Sequence, residues 1–131
     1  NWSEEVLEAT GGKGVNVIID MVSASVANEN MKAAAVLGRI INVGRLGGGR
    51  GELDYNLHAN KRIAYIGVTH RTRSPDELRA EVRNMRADLW EAVSAGKLAI
   101  PIDRVFKLDE AEAAQAHMRS NSHFGKIVMV V

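Results

Sequence analysis

Four histidines, an acid at the end of a β-branched run and a cluster of glycines are the residues of this 131-residue chain whose types could do chemistry. His58, His70, His117 and His123 could ligate a metal, but none stands in an H-E-x-x-H arrangement. Only His117 and His123 are near each other, and no carboxylate is spaced to join them on one helix face. Surface or interface histidines are the simpler reading. Nucleophilic catalysis has no cysteine to use and no G-x-S-x-G turn, because Met21 and Ala24, not glycines, flank Ser23 and Ser25. The lack of cysteine also excludes disulfides and cysteine-ligated zinc or iron–sulfur sites within these residues.

Asp20 closes the run Val15-Asn16-Val17-Ile18-Ile19-Asp20, where a strand-end acid can grip an adenosine ribose. That role needs a G-x-G-x-x-G turn about twenty residues earlier. Only a helix precedes Asp20, so an acid bonding the next turn of its own chain is the simpler reading. The stretch Gly44-Arg45-Leu46-Gly47-Gly48-Gly49-Arg50-Gly51 fits neither the dinucleotide fingerprint nor a Walker loop. Glycines still permit close backbone approach, and this loop lies beyond the carboxyl end of a strand, where open α/β sheets bind ligands. Arg71 and Arg73, ahead of a helix, could bind an anion. Arg79, Arg83 and Arg86 are interleaved with Glu81, Asp88 and Glu91 and read as a solvated mixed-charge face.

The elements that must position these residues follow from periodicity and punctuation. Ser3 reads as the N-cap of a short helix ended by Gly11-Gly12. The continuous apolar run to Asp20 reads as a strand buried on both faces, the mark of a parallel sheet. A helix over 25–36, closed by Gly38, leads to a strand at Arg39–Val43, completing a βαβ unit. A polar stretch containing Tyr55 and His58 leads to a third strand at 62–68. Ser74-Pro75-Asp76-Glu77 is a capping signal, followed by Leu78, Val82, Met85, Leu89 and Val93 along one helix face. An extended segment at 100–106 has Pro101 at a sheet edge. A capping box at Asp109–Glu112 opens a helix to about Arg119, and Lys126–Val131 is the last strand.

Composition narrows the function classes. Seventeen basic and sixteen acidic side chains give a net charge of +1, which supplies no global field for nucleic acid or anionic lipid. No apolar run nears the ~20 residues needed to span a bilayer. Neither nucleic-acid nor membrane partners are expected, and the chain reads as cytoplasmic.

Five segments then occur in an order that is familiar: Gly11–Asp20, Leu37–Gly44, Lys61–Thr69, Asp103–Ala111 and His123–Val128. Together they resemble the medium-chain dehydrogenase/reductase superfamily, and within it the zinc-independent quinone oxidoreductases of the zeta-crystallin type. The resemblance covers essentially the whole chain and implies an α/β fold. Residues 1–96 would be the second half of a Rossmann-type parallel sheet with helices on its faces, lacking its first strands. Residues 97–131 would be a C-terminal return segment of the catalytic domain. Asp20 then ends the fourth strand of the family, which supports its simpler reading.

The implied cofactor is NADP, with NAD possible, and no metal within this chain. Val22 and Ser23 would border the adenosine and nicotinamide riboses. Val43, Gly44, Arg45 and Leu46 would pass backbone groups along the nicotinamide, and Gly67, Val68 and Thr69 would bind its carboxamide through the main chain. His123 stands where relatives commonly have an asparagine touching the coenzyme, and so departs from the pattern. No catalytic side chain is implied, since hydride transfer is the cofactor's chemistry. Gly44→Val is expected to hurt cofactor binding more than stability. The implied partners are a small quinone or other α,β-unsaturated carbonyl and a second copy paired through strand 62–68, the chain alone being inactive. Zinc-dependent alcohol dehydrogenase, enoyl-thioester reductase and a non-catalytic dimerising α/β module stand as alternatives.

Overall fold

A computed structural model describes residues 1–131. The elements are α1 (Trp2–Ala9), β1 (Val15–Asp20), a 3-10 turn (Ala24–Val26), α2 (Ala27–Ala33), β2 (Ala34–Asn42), α3 (Tyr55–Lys61) and β3 (Ala64–Gly67). They continue with α4 (Pro75–Ser94), β4 (Ile102–Lys107), a second 3-10 turn (Leu108–Glu110), α5 (Ala111–Arg119) and β5 (Lys126–Val130). Every strand pair is parallel, in a sheet ordered β1-β2-β3 and a separate β4-β5 pair. The α/β class is as expected. No helix is long and apolar enough to cross a membrane. Contacts group the chain into two units, Asn1–Ser74 and Pro75–Val131.

In the first unit Met31, Ala34, Ile40 and Ile63 form the buried cluster, with Ile18, Leu53 and Leu57 packed against it. Asn1, not Ser3, occupies the N-cap position of α1. Ser3 lies inside the helix, almost fully buried, and its hydroxyl donates to Glu29 Oε2 on α2 at 2.5 Å. That bond gives Ser3 a partner 26 residues away, which local capping rules do not foresee. Lys32 first, then Ser3, holds the Glu29 carboxyl below its ordinary pKa.

The helix expected over 25–36 stops at Ala33, and Gly38 lies inside β2. Two contacts end it early. Lys61 Nζ donates to the carbonyls of Met31, Lys32 and Ala34 at 3.0, 2.6 and 2.7 Å, meeting the acceptors that a helix C-terminus leaves open. Burial pulls this ammonium below its ordinary pKa. Gly14 approaches so closely that a Cβ there would stand 2.5 Å from the Ala33 oxygen. Of the added strand residues only Ala34 has a partner on β1: pairing jumps from Val15↔Ala34 to Val17↔Arg39, and Leu37 takes φ 63° in the gap.

The stretch containing Tyr55 and His58 is helix α3, capped by Asp54, whose Oδ1 accepts from the Leu57 N–H at 2.9 Å. It ends at Arg62 in the left-handed region, without the glycine that marks such an end in sequence. The strand expected to be buried on both faces is covered on one only. Ile18 packs on the core, while Val17 and Ile19 are 43% and 62% exposed. All four residues of the edge strand β3 are exposed as well.

In the second unit α4 begins at Pro75 as its capping signal indicates, yet none of its residues is buried. Phe106 on β4 and Ala114 on α5 are this unit's buried apolar residues. The capping box expected at 109–112 forms two residues earlier, with the Lys107 N–H donating to Glu110 Oε2 at 2.7 Å. Gly125, at φ 109°, brings the chain against Pro101, whose carbonyl accepts from the Lys126 N–H at 2.8 Å to open β5.

Candidate functional site

Parallel strands point the same way, so β1, β2 and β3 release their carboxyl ends at one edge of the sheet. Asp20–Ser23, Asn42–Leu46 and Gly67–Thr69 leave the sheet there, and these segments contain nine of the ten residues singled out for coenzyme. The structure thus brings together Val22, Ser23, Val43, Gly44, Arg45, Leu46, Gly67, Val68 and Thr69.

Many of their backbone donors are already engaged inside the protein. Asp20 Oδ1 accepts from the Val22 and Ser23 N–H groups, each at 2.8 Å. The Asp20 carbonyl accepts from Val43 at 2.8 Å and Gly44 at 3.1 Å. Leu46 donates to the Met21 carbonyl, Gly47 to that of Val22, and Val68 to that of Asn42. The simpler reading of Asp20 therefore holds: it is 3% exposed and ties the tip of β1 to its own turn. Its Oδ2 is buried with no partner in the protein. Any main-chain recognition at Val43, Gly44, Leu46 or Val68 must use carbonyl oxygens rather than N–H groups.

The glycine loop makes its close approaches to the protein. A Cβ on Gly44 would overlap the Met21 carbonyl oxygen, and one on Gly47 would overlap Ser25 Oγ. A Cβ on Gly51 would stand 2.9 Å from that of Ala24. This overturns the expectation for Gly44→Val, because the space at Gly44 is filled by Met21 and not open to a nicotinamide. Gly67 is the opposite case, with nothing within 4 Å of a Cβ.

Sequence reasoning missed two polar residues here. Asn42, 7% exposed at the end of β2, donates from Nδ2 to Ser23 Oγ at 2.9 Å and to Tyr65 Oη at 3.5 Å. Ser23 holds φ 73°, an unusual backbone for a residue other than glycine. Ser23 and Tyr65 line a cleft of about 230 Å³. The one available signal was position, since Asn42 directly precedes a segment already singled out. Arg71, read as a possible anion ligand, donates its backbone N–H to Thr69 Oγ1.

His123 lies in the second unit, its Nδ1 buried without a partner and its ring centroid 6.0 Å from that of His117. A carboxylate does join this pair's neighbourhood, from β4 instead of the helix face searched in the sequence. Asp103 Oδ2 lies 2.7 Å from His117 Nε2, and Oδ1 accepts from the Phe124 N–H at 3.0 Å. No group of three or more His, Asp or Glu side chains is placed to hold a metal. His117 first, then the Phe124 N–H, holds the Asp103 carboxyl below its ordinary 3.8. A carboxyl with a lowered folded pKa adds stability above its unfolded value and loses it as pH falls through the folded one. Acid titration followed by circular dichroism should therefore show a loss below pH 3.8 that Asp103→Asn lacks.

The family described as zinc-binding dehydrogenase matches residues 1–129. Quinone oxidoreductase-like protein 2 of Bos taurus is 29% identical over 126 residues, covering 96% of this chain and 36% of its own length. A highly reducing polyketide synthase of Alternaria alternata is 29% identical over 132 residues, covering 100% of this chain and 5% of its own. Among solved structures, an NAD-dependent alcohol dehydrogenase superposes with a TM-score of 0.72 at 28% identity, covering 99% of this chain and 35% of that one. The chain thus spans about a third of the first of these relatives and of the solved dehydrogenase.

Proposed function

Since the chain belongs to the zinc-binding dehydrogenase family, we propose that it is the part of an NAD(P)H-dependent oxidoreductase that receives the nicotinamide half of the coenzyme. The substrate on this reading is a quinone or another α,β-unsaturated carbonyl, as the similarity to a quinone oxidoreductase-like protein suggests. The observation that carries it is the open space beside Gly67 at the shared edge of three parallel strand ends. The residues present fit that half of the coenzyme. Carbonyl oxygens of the strand tips can accept from a carboxamide, and the unpartnered Asp20 Oδ2 can accept from a hydroxyl. No glycine turn for a pyrophosphate occurs in these 131 residues.

The bound coenzyme would supply a hydride. The chain would supply orientation through Val22, Ser23, Val43, Gly44, Arg45, Leu46, Gly67, Val68 and Thr69, all within the first unit. The division into a partial dinucleotide-binding part, 1–96, and a return segment, 97–131, belongs to the same proposal. So does pairing of two copies along β3, whose outer edge carries unpaired backbone groups. The polyketide synthase similarity favours a second reading, in which the substrate is an enoyl thioester.

Titrating NADPH and NADH into the chain, followed by fluorescence, tests the proposal. Saturable binding is expected, and Gly67→Val should weaken it about tenfold, or ~1.4 kcal/mol, without lowering the melting temperature. No saturation up to millimolar coenzyme would favour a non-catalytic dimerising module.

A further inference from the structure

A carboxamide NH₂ has two protons to give, and Asn42 directs its pair at two hydroxyl oxygens, those of Ser23 and Tyr65. Each hydroxyl therefore acts as an acceptor toward Asn42 and must send its own proton elsewhere. Both residues line the same cleft of about 230 Å³, walled also by Ala24, Ala27 and Leu53 and by the 49–52 stretch of the glycine loop. The placement is rigid on the Ser23 side, where backbone bonding to Asp20 and a φ of 73° fix the residue. The two charged residues of the wall, Arg50 and Glu52, are opposite in sign, so the cleft offers no net charge to an anion. Two outward hydroxyl donors in a net-neutral, partly apolar cleft match a neutral oxygen acceptor on a small ring or chain.

We propose that this cleft binds the carbonyl oxygen of a small neutral quinone or enone through the Ser23 and Tyr65 hydroxyls, held in place by Asn42. The carbonyl class rests on the reductase reading above, whereas the donor pair rests on the geometry alone. Ser23 would then turn its hydroxyl toward substrate while its backbone stays at the coenzyme side.

The test is a nitrogen–proton NMR titration of the whole chain with 2-cyclohexenone, with inorganic phosphate as the anionic control and NADPH titrated separately. Shifts are expected at the Asn42 side-chain NH₂ and at Gly49 and Gly51. Tyr65→Phe should raise the cyclohexenone Kd about fivefold, the worth of one hydrogen bond, with NADPH affinity unchanged. Ser23→Gly removes the second donor and suits the positive φ, so it should fold normally and weaken binding similarly. No cleft shifts, equal binding by both variants, or phosphate saturating the same residues would each overturn the carbonyl site. If NADPH still saturates in those cases, the coenzyme reading stands and only this inference falls; loss of NADPH saturation in the unmodified chain is the separate failure of that reading.

Discussion

Gly44→Val is expected to lower the stability of the first unit by about 3 kcal/mol, the upper end of what overpacking costs. The clash is with main chain, which cannot swing aside as a side chain would. A Cβ would overlap the Met21 carbonyl oxygen and stand 3.0 Å from its carbon. The approach is held by the two N–H groups, Val43 and Gly44, that share the Asp20 carbonyl at 2.8 and 3.1 Å. Relief would require β1 and β2 to part at their tips, the place where the candidate coenzyme segments leave the sheet. A urea melt should show the midpoint falling sharply, and loss of NADPH binding would follow from unfolding. The paired Gly67→Val should leave the melt in place while impairing binding. If Gly44→Val melted like the parent, Met21 would not be the neighbour that matters.

Asp20→Ala should cost about 2–4 kcal/mol, because two N–H groups lose one buried carboxylate acceptor at once. Val22 and Ser23 both donate to Oδ1, and Asp20 is 3% exposed, so water cannot easily replace the carboxylate. Asp20→Asn keeps one acceptor oxygen in the same place and should cost only about 1 kcal/mol. The two variants therefore separate the acceptor's geometry from its charge in a single set of denaturation curves. Equal losses would mean that the charge, not the position of Oδ1, holds the turn. A fall in NADPH affinity in Asp20→Asn beyond its stability cost would point to Oδ2 as a ligand acceptor.

Some features were readable from residue order because their causes are local. Pro75 and its flanking acids started α4 where expected, the β-branched runs became β1 and β5, and Arg119 ended α5. The strand tips carrying nine candidate residues were readable too, because a βαβ repeat forces parallel strands to finish together. Other features were hidden because their causes are distant in sequence. Lys61 ends a helix 28 residues before it by taking the Ala33-flanking carbonyls, and Arg62 closes α3 with a left-handed backbone that glycine usually announces. The apolar stripe of α4 was legible, but its exposure was not, since periodicity says which side is apolar and not what covers it.

Residue types and their order were enough to establish parallel α/β architecture and which loops cluster at one sheet edge, since both follow from short-range pattern. Folding in three dimensions settled which of those groups remain available to a ligand. It engaged the N–H groups of Val43, Gly44 and Val68, filled the space at Gly44 with Met21, left Gly67 clear and set Asn42 between Ser23 and Tyr65. Hydrogen-bond partners and atomic clearances there come from segments some twenty residues apart, and no local pattern in the chain encodes the distance between them.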